Sequence, residues 1–460
     1  MKKTAISIIF ILFVFFPACQ SDKTVAQSTT QPTPTPEVTY TDTQLLDMAE
    51  SESFKYFWDY AEVHSKLARE RYHTDNPGND AYLVTTGGSG FGLMNIIVGV
   101  SRGYVTRVEA TDRLQIALNY LANANRFHGA WPHWMDGNTG NVVPFGTVDN
   151  GGDLVETSFL CQGLICVREY FKNGNTQEQA IANQADVLWK GVDWDWYRDG
   201  RNVLLWHWSP DYNFQMNFEL RGYNEALITY VLAAASPTHP ILPIAYQQGW
   251  ANNGGITSSA TKYNIPVIVN HNGANGSVGP LFWAHYSYLG LDPRGLSDSY
   301  VTNYWNLVRN HALINLQHSI LNPNNYAGYS AKCWGLTASY SRNSDGSTGY
   351  FAHDVNHDKG VISPTAAISS IPYTPLESIN FLRYLYQEKK NLTIGICGPY
   401  DAFSIATNWS TPRYLAIDQG TIVPMIENYR TGLLWNLFMN APEVKQGLIN
   451  LGFHSTQYNF

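Results

Sequence analysis

From Thr43 onward the chain alternates two kinds of helical segment, and this alternation limits its fold more than any other feature. Residues 90–103 (GFGLMNIIVGVSRG), 153–171 (DLVETSFLCQGLICVREYF), 222–236 (GYNEALITYVLAAAS) and 279–290 (GPLFWAHYSYLG) are apolar nearly all round. That is the pattern of a helix enclosed by protein. Residues 42–61, 107–124, 176–197 and 299–317 instead carry apolar residues on one face only, the pattern of a half-exposed helix. Thr106 stands where an N-cap belongs. Residues 363–388 predict two helices parted at Pro372 and Pro375, and 417–440 predict the last helical stretch. Buried inner helices paired with half-exposed outer ones, in about six pairs, predict an all-α chain: a single (α/α)6 toroid with long inter-helix loops. A solenoid would show a fixed repeat period, and none is present. Short β pieces, such as one around NVLLWHW (202–208), are secondary to this plan.

The N-terminus has a different character. Lys2 and Lys3 precede the apolar run Ile6–Phe16, which is too short to cross a bilayer. The run ends in Phe16-Pro17-Ala18-Cys19, which resembles a lipobox. Residues 1–19 are therefore expected to be a lipoprotein signal peptide with lipid attached at Cys19; an ordinary signal peptide with a chance cysteine is the alternative. Residues 20–41, rich in Ser, Thr, Gln and Pro, predict a flexible tether, leaving residues 42–460 as one large domain. The expectation is an exported, monomeric lipoprotein of the outer membrane, on its periplasmic or outer face, touching the membrane only through the anchor. Cys161, Cys166, Cys333 and Cys397 read as buried free thiols. No CxxC or HExxH spacing appears, so no metal or cofactor is expected.

Composition narrows the ligand. Aromatic residues make up 14% of the chain and charged residues also 14%, the latter well below the usual figure of about 25%. Aromatic faces stack on the C–H faces of sugar rings, so the balance suits a carbohydrate groove, as well as a large core. A net charge of −8 excludes nucleic acid and polyanions as partners.

The acidic residues gather in three places. The stretch GTVDNGGDLVETSF holds Asp149, Asp153 and Glu156 behind a Gly-Gly break and ahead of an apolar helix. Asp153 and Glu156 also read as an acidic capping box, a role that coexists with one at a cleft. The second place is NFELRGYNEA. Glu225 opens an apolar helix, where burial would raise its pKa as a general acid requires; a Glu favoured by the helix dipole is the plainer reading. Glu219 lies close enough to Arg221 simply to pair with it. In the third place, Asp401 follows Gly398-Pro399-Tyr400 in a loop, while Asp418, Glu427 and Arg430 flank the last helix. Separated carboxylates amid aromatic residues suit cleavage of a glycosidic bond.

Trp131, His133, Trp134, Trp208, Tyr223, Trp283, Tyr373 and Trp409 fall near inter-helix breaks and are candidate sugar platforms, with Glu156 and Glu219 as further ligands of the sugar. Arg294 and Arg413 are candidates to bind sugar hydroxyls.

TTGGSGFGLM, HGAWPHWMDG, the Asp149–Glu156 stretch, LRGYNEALITYVLAAASPTHP, GPLFWAHYSYLGLDPRG, CWGLTAS, YTPLESI, GPYDAFS and IDQGTIVPMIENYRTGLLW follow one another in order. Together, over residues 43 to 455, they resemble the glucoamylase-like domain of glycoside hydrolase family 144, the bacterial β-1,2-glucanases. The resemblance implies one (α/α)6 barrel, an inverting mechanism, no metal, and a β-1,2-linked glucan as substrate. By motif position, Asp149, Asp153, Glu156 and Glu225 match the family's acidic cleft residues. Glu225 is expected as general acid and Asp149 or Asp153 as base, with Asp401 as rival; water activated through a substrate hydroxyl is a further route. The expected activity is endo-hydrolysis with inversion, giving sophorose and short sophorooligosaccharides, with exo release of sophorose as alternative. A glycan-binding lipoprotein without activity would need no paired acids, and a lyase would want a basic groove.

Overall fold

The structure, a computed structural model, describes residues 39–460. The expected signal peptide, Cys19 and all but the end of the tether lie outside the described residues. Tyr40 already packs on the core and Thr41 caps the first helix, so the folded unit takes in the last tether residues.

Fourteen α-helices are described: α1 (Asp42–Trp58), α2 (Thr86–Arg102), α3 (Arg107–Asn123), α4 (Leu154–Phe171), α5 (Thr176–Lys190), α6 (Leu227–Ala235), α7 (Pro243–Ala245), α8 (Tyr304–Leu321), α9 (Pro364–Ile368), α10 (Pro375–Arg383), α11 (Lys390–Thr393), α12 (Ala416–Arg430), α13 (Leu433–Met439) and α14 (Pro442–Asn450). Three outer helices start on reciprocal capping boxes: Thr41 with Gln44, Thr106 with Glu109, and Asn175 with Glu178. Each box satisfies two N–H groups that a helix start would otherwise leave orphaned.

The apolar helices form the inside. α2 is buried from Thr86 to Gly99 and α4 from Leu154 to Arg168. They pack directly on each other, α4 packs on α6, and α12 packs on α2 and α9. α1, α3 and α5 lie against this inner set. Glycines make the α2–α4 approach possible, since a Cβ on Gly90 or on Gly163 would collide with backbone of the facing helix.

Two departures from the sequence reading have local causes. Residues 279–290 form two short 3-10 turns, Leu281–Ala284 and Tyr286–Leu289, rather than one buried helix. The Gln162 side chain on α4 bonds both the Tyr286 carbonyl (3.0 Å) and the Gly290 N–H (2.6 Å), so tertiary partners displace the helical ladder. The longest β element is an unforeseen hairpin, Ala338–Arg342 with Thr348–Ala352, in which Tyr340 and Tyr350 stand opposite each other. The helix split at Pro372 and Pro375 is present, with α9 before it and α10 after it.

Candidate active site

A cavity of about 380 Å³ opens where inner helices begin. Thr85 precedes α2, Glu156 lies in the first turn of α4, Glu225 precedes α6, and Leu415 and Ile417 flank the start of α12; all five line it. Helix N-termini carry unpaired N–H groups and a partial positive charge, so this end of the molecule favours carboxylates.

Asp153 is fully buried and has two partners. Its Oδ1 accepts the Glu156 N–H at 2.9 Å, the N-cap bond, and its Oδ2 lies 2.9 Å from His133 Nδ1. The capping box is only half formed. The Glu156 carboxylate does not return to Asp153, whose own N–H donates to the Trp131 carbonyl. Instead Glu156 Oε2 crosses to α2, where it accepts the Gly87 N–H at 2.7 Å. His207 closes the group, with Nε2 3.4 Å from Asp149 Oδ2 and 3.6 Å from Asp153 Oδ2. Short strands Gly152–Asp153 and His207–Trp208 pair to set that register. The Gly-Gly break ahead of α4 is required, because side chains on Gly151 and Gly152 would strike the Trp208 carbonyl and the Tyr197 hydroxyl. Ligand atoms of His133, Asp149 and Asp153 lie within 4.8 Å of one another; a hydrogen bond joins His133 to Asp153, and His207 stands between Asp149 and Asp153.

The charges are sharply differentiated. Burial pushes Glu225 up to about 7, with the nearby Glu156 and Asp153 charges adding to it. Burial also lifts Glu156 to about 7, against the pull of His133. Asp149 is raised by burial and by Asp153. Burial works against a charge on Asp153 too, but its bond to His133 and the charge of His207 outweigh it and hold its pKa below the ordinary value. Burial opposes a charge on His133 as well, yet Glu156, Asp153 and Asp149 raise it to about 9. At neutral pH the site therefore holds a carboxylate–imidazolium pair beside two carboxyls able to carry a proton.

His133 and Trp134 line the cavity with Phe145, Trp206 and Tyr286. The other sequence candidates lie elsewhere. Trp131, Tyr223 and Tyr373 are buried in the core, so their ring faces are not open to a sugar. Trp283 is buried against His271. Trp409 packs on the cluster of Tyr340, Val361, Ala402 and Leu415. Trp208 packs on Phe127 and His128. Arg294 pairs with Asp292 at 2.7 Å and covers the Trp435 ring, a structural role. Arg413 stands over Tyr340 and reaches Asp75 at 3.3 Å. Glu219 pairs with Arg221 at 2.5 Å and with Arg201 at 3.4 Å, the plainer of its two readings.

Asp401 does not line the cavity. It is buried behind Tyr340, whose N–H it accepts at 2.7 Å, and it shares a hydrogen bond with Asp418. Asp418 in turn accepts from the Tyr286 hydroxyl at 3.2 Å. Burial raises both, Asp401 to about 6 and Asp418 well above its ordinary value, so one proton is shared between them.

Sequence reasoning missed Glu70, Tyr340 and Tyr350, all of which line the cavity. Glu70 is ion-paired with Arg71, and burial raises its pKa. In the sequence it sits in LARERYH, which looks like ordinary solvated charge.

Residues 217–442 match the family described as “Putative glucoamylase”. The solved endo-β-1,2-glucanase from Chitinophaga pinensis, in complex with sophorotriose and glucose, is 54% identical; the match covers 91% of this chain and 100% of that one, with a TM-score of 0.88. The exo-β-1,2-glucooligosaccharide sophorohydrolase (non-reducing end) of Parabacteroides distasonis is 43% identical over 432 residues, 89% of this chain. This chain spans only 58% of that protein's length. A solved β-1,2-glucanase from Parabacteroides distasonis is 42% identical, covering 90% of this chain and 60% of that one, with a TM-score of 0.83.

Proposed function

We propose, from the premise that this chain belongs to the glucoamylase-like family that includes bacterial β-1,2-glucanases, that it is a glycoside hydrolase cleaving β-1,2-glucan. The observation that carries this reading is the cavity itself. It sets Glu225 and Glu156, both raised to about 7, beside a fixed Asp153–His133 pair and aromatic rings. Cleavage needs an acid that holds its proton near neutral pH and a carboxylate that does not. Glu225 takes the first role, protonating the leaving oxygen. Asp149, which does not itself line the cavity but has its carboxylate within 4.8 Å of the lining His133, takes the second, drawing a proton from water, directly or through a sugar hydroxyl. Asp153 is committed to the helix cap and to His133, and Asp401 to Asp418, which leaves Asp149 the freer carboxylate.

In this reading the inner elements α2, α4, α6, the 281–289 turns, α9 and α12 form the inside of an (α/α)6 toroid, each with an outer partner. The C. pinensis endo-β-1,2-glucanase, matched over its whole length, supports endo action; inversion, and sophorose and short sophorooligosaccharides as products, belong to the same reading. Release of sophorose alone from a chain end is the second reading, favoured by the P. distasonis sophorohydrolase. A time course on linear β-1,2-glucan separates them. A ladder that shrinks to short oligomers means endo action, sophorose from the first minutes means exo action, and no product overturns both. Inversion is checked by NMR, which should show the α-anomer first. Lipid attachment at Cys19 and an outer-membrane location belong to the same proposal, and Cys19→Ala should then release the protein from membranes.

A further inference from the structure

Outside the cavity lies a second aromatic surface that the catalytic reading does not use. Neighbouring residues of a strand face opposite ways. In the Gly152–Asp153/His207–Trp208 ribbon, His207 faces Asp149 and Asp153, so Trp208 faces outward. There the His128 ring meets Trp208 edge-on at 4.6 Å and lies flat against Trp196, 3.7 Å between centroids and 11° from parallel. Phe214 borders Trp196 at 6.5 Å. Trp196 is 41% exposed, and Tyr212, in the adjoining loop, is 39% exposed.

This stack is built rather than incidental. His128 has a left-handed backbone (φ 49°), a conformation uncommon for side-chain-bearing residues. Asp193 holds it: its N–H donates to the His128 carbonyl at 3.0 Å, and its Oδ1 accepts the Trp196 N–H at 3.1 Å. Burial keeps the His128 imidazole below its usual pKa, hence neutral and suited to stacking. The surface is also tied to the cleft. Asn150, next to Asp149, accepts from the Ser209 hydroxyl and donates to Asp211, both at 2.6 Å, which pins the loop carrying Tyr212 to the Asp149 lip.

We infer that the Trp196–His128–Trp208 stack is a second glucan-binding platform, holding a stretch of the β-1,2-glucan chain outside the catalytic cavity. The inference rests on the glucan reading above. An exposed indole backed by a parallel ring offers the flat apolar face that a pyranose covers. The exposed Asp195 carboxylate beside it, paired with Arg198, provides an acceptor for hydroxyls. The neighbouring Arg198 and Arg201 are paired with Asp195 and Asp199, which does not favour an anionic ligand.

The test compares wild type, Trp196→Ala and Trp196→Phe on long linear β-1,2-glucan and on short sophorooligosaccharides that fill only the cavity. Trp196→Ala should raise KM for the polymer about three- to tenfold, the scale of one lost ring contact. It should leave kcat and short-substrate kinetics unchanged, and Trp196→Phe should fall between. Unchanged polymer KM in Trp196→Ala overturns the platform. So does an equal loss on both substrates, which would mark Trp196 as structural. A wild type inert on both substrates overturns the glucan reading and the platform together.

Discussion

His133 Nδ1 lies 2.9 Å from Asp153 Oδ2 at the point where α4 begins, so one carboxylate orients an imidazole and caps a helix. The two tasks separate by mutation. Asparagine caps nearly as well as aspartate but carries no charge. Asp153→Asn should keep the fold, and the His133 titration midpoint, read by NMR, should fall from about 9. Asp153→Ala also removes the cap and should cost about 1 kcal/mol more in a melting experiment.

The same groups set how stability changes with pH. His133 is raised in the folded state, so its contribution is full below its ordinary 6.5 and is lost as pH rises through about 9. Glu156 and Glu225 are raised carboxyls; the folded state holds their protons more tightly, and stability falls as pH rises from 4.5 through about 7. The buried histidines His73, His285, His311 and His353, all held below their ordinary pKa by burial, act the other way below pH 6.5, so the contribution of Glu225 is read as a difference: the Tm of wild type minus that of Glu225→Gln should fall as pH rises from about 4.5 through 7. A difference that grows over that range would contradict this.

Glu225→Gln should lower kcat by roughly 10²–10⁴-fold, the usual worth of general acid catalysis, while glucan binding survives. As an acid, Glu225 must be protonated to act, so wild-type kcat/KM should fall as pH rises through about 7. The variant's residual activity should lack that limb. Near-normal turnover by the variant would remove Glu225 from the acid role.

Gly87 has no side chain because Glu156 occupies the space. A Cβ there would lie 2.6 Å from Glu156 Oε2 and 2.9 Å from Phe159 Cδ2. Gly87→Ala should displace the Glu156 carboxylate, lower activity at least tenfold, and cost about 1–3 kcal/mol by overpacking. Circular dichroism would confirm that the helices remain.

Asp401 and Asp418 share a proton in the wall behind Tyr340 and Tyr286. Asp418→Asn puts a neutral donor where the protonated acid stood. Stability at pH 8 should hold or improve, because the cost of separating a buried proton from the pair is gone. A large loss at pH 8 would show that the pair holds the wall together in its charged form.

Much of the helix plan was legible because burial leaves a local trace. The apolar runs at 90–103 and 153–171 are buried in α2 and α4, and Thr106 caps α3. The Asp149–Glu156 stretch and Glu225 could be singled out because carboxylates next to apolar helices stand out against their neighbours. Glu70 could not, since its setting in the sequence is a run of mixed charge. Nor could the allocation of aromatic rings. Trp131 and Trp134 are three residues apart in one loop, yet one is core and the other lines the cavity.

Sequence alone determined most of the segments that become helices, with 279–290 the exception, which of them are enclosed, and which carboxylates stand at helix starts. These follow from short-range sterics, capping and the spacing of apolar residues. Tertiary structure decided the rest. Glu156 left its own cap for Gly87, sixty-nine positions away in the chain, Asp401 turned from the cavity to Asp418, and the 338–352 hairpin brought Tyr340 and Tyr350 to the cavity. Each of those outcomes depends on partners far apart in sequence. Local pattern records how buried a residue will be, but not what it will face.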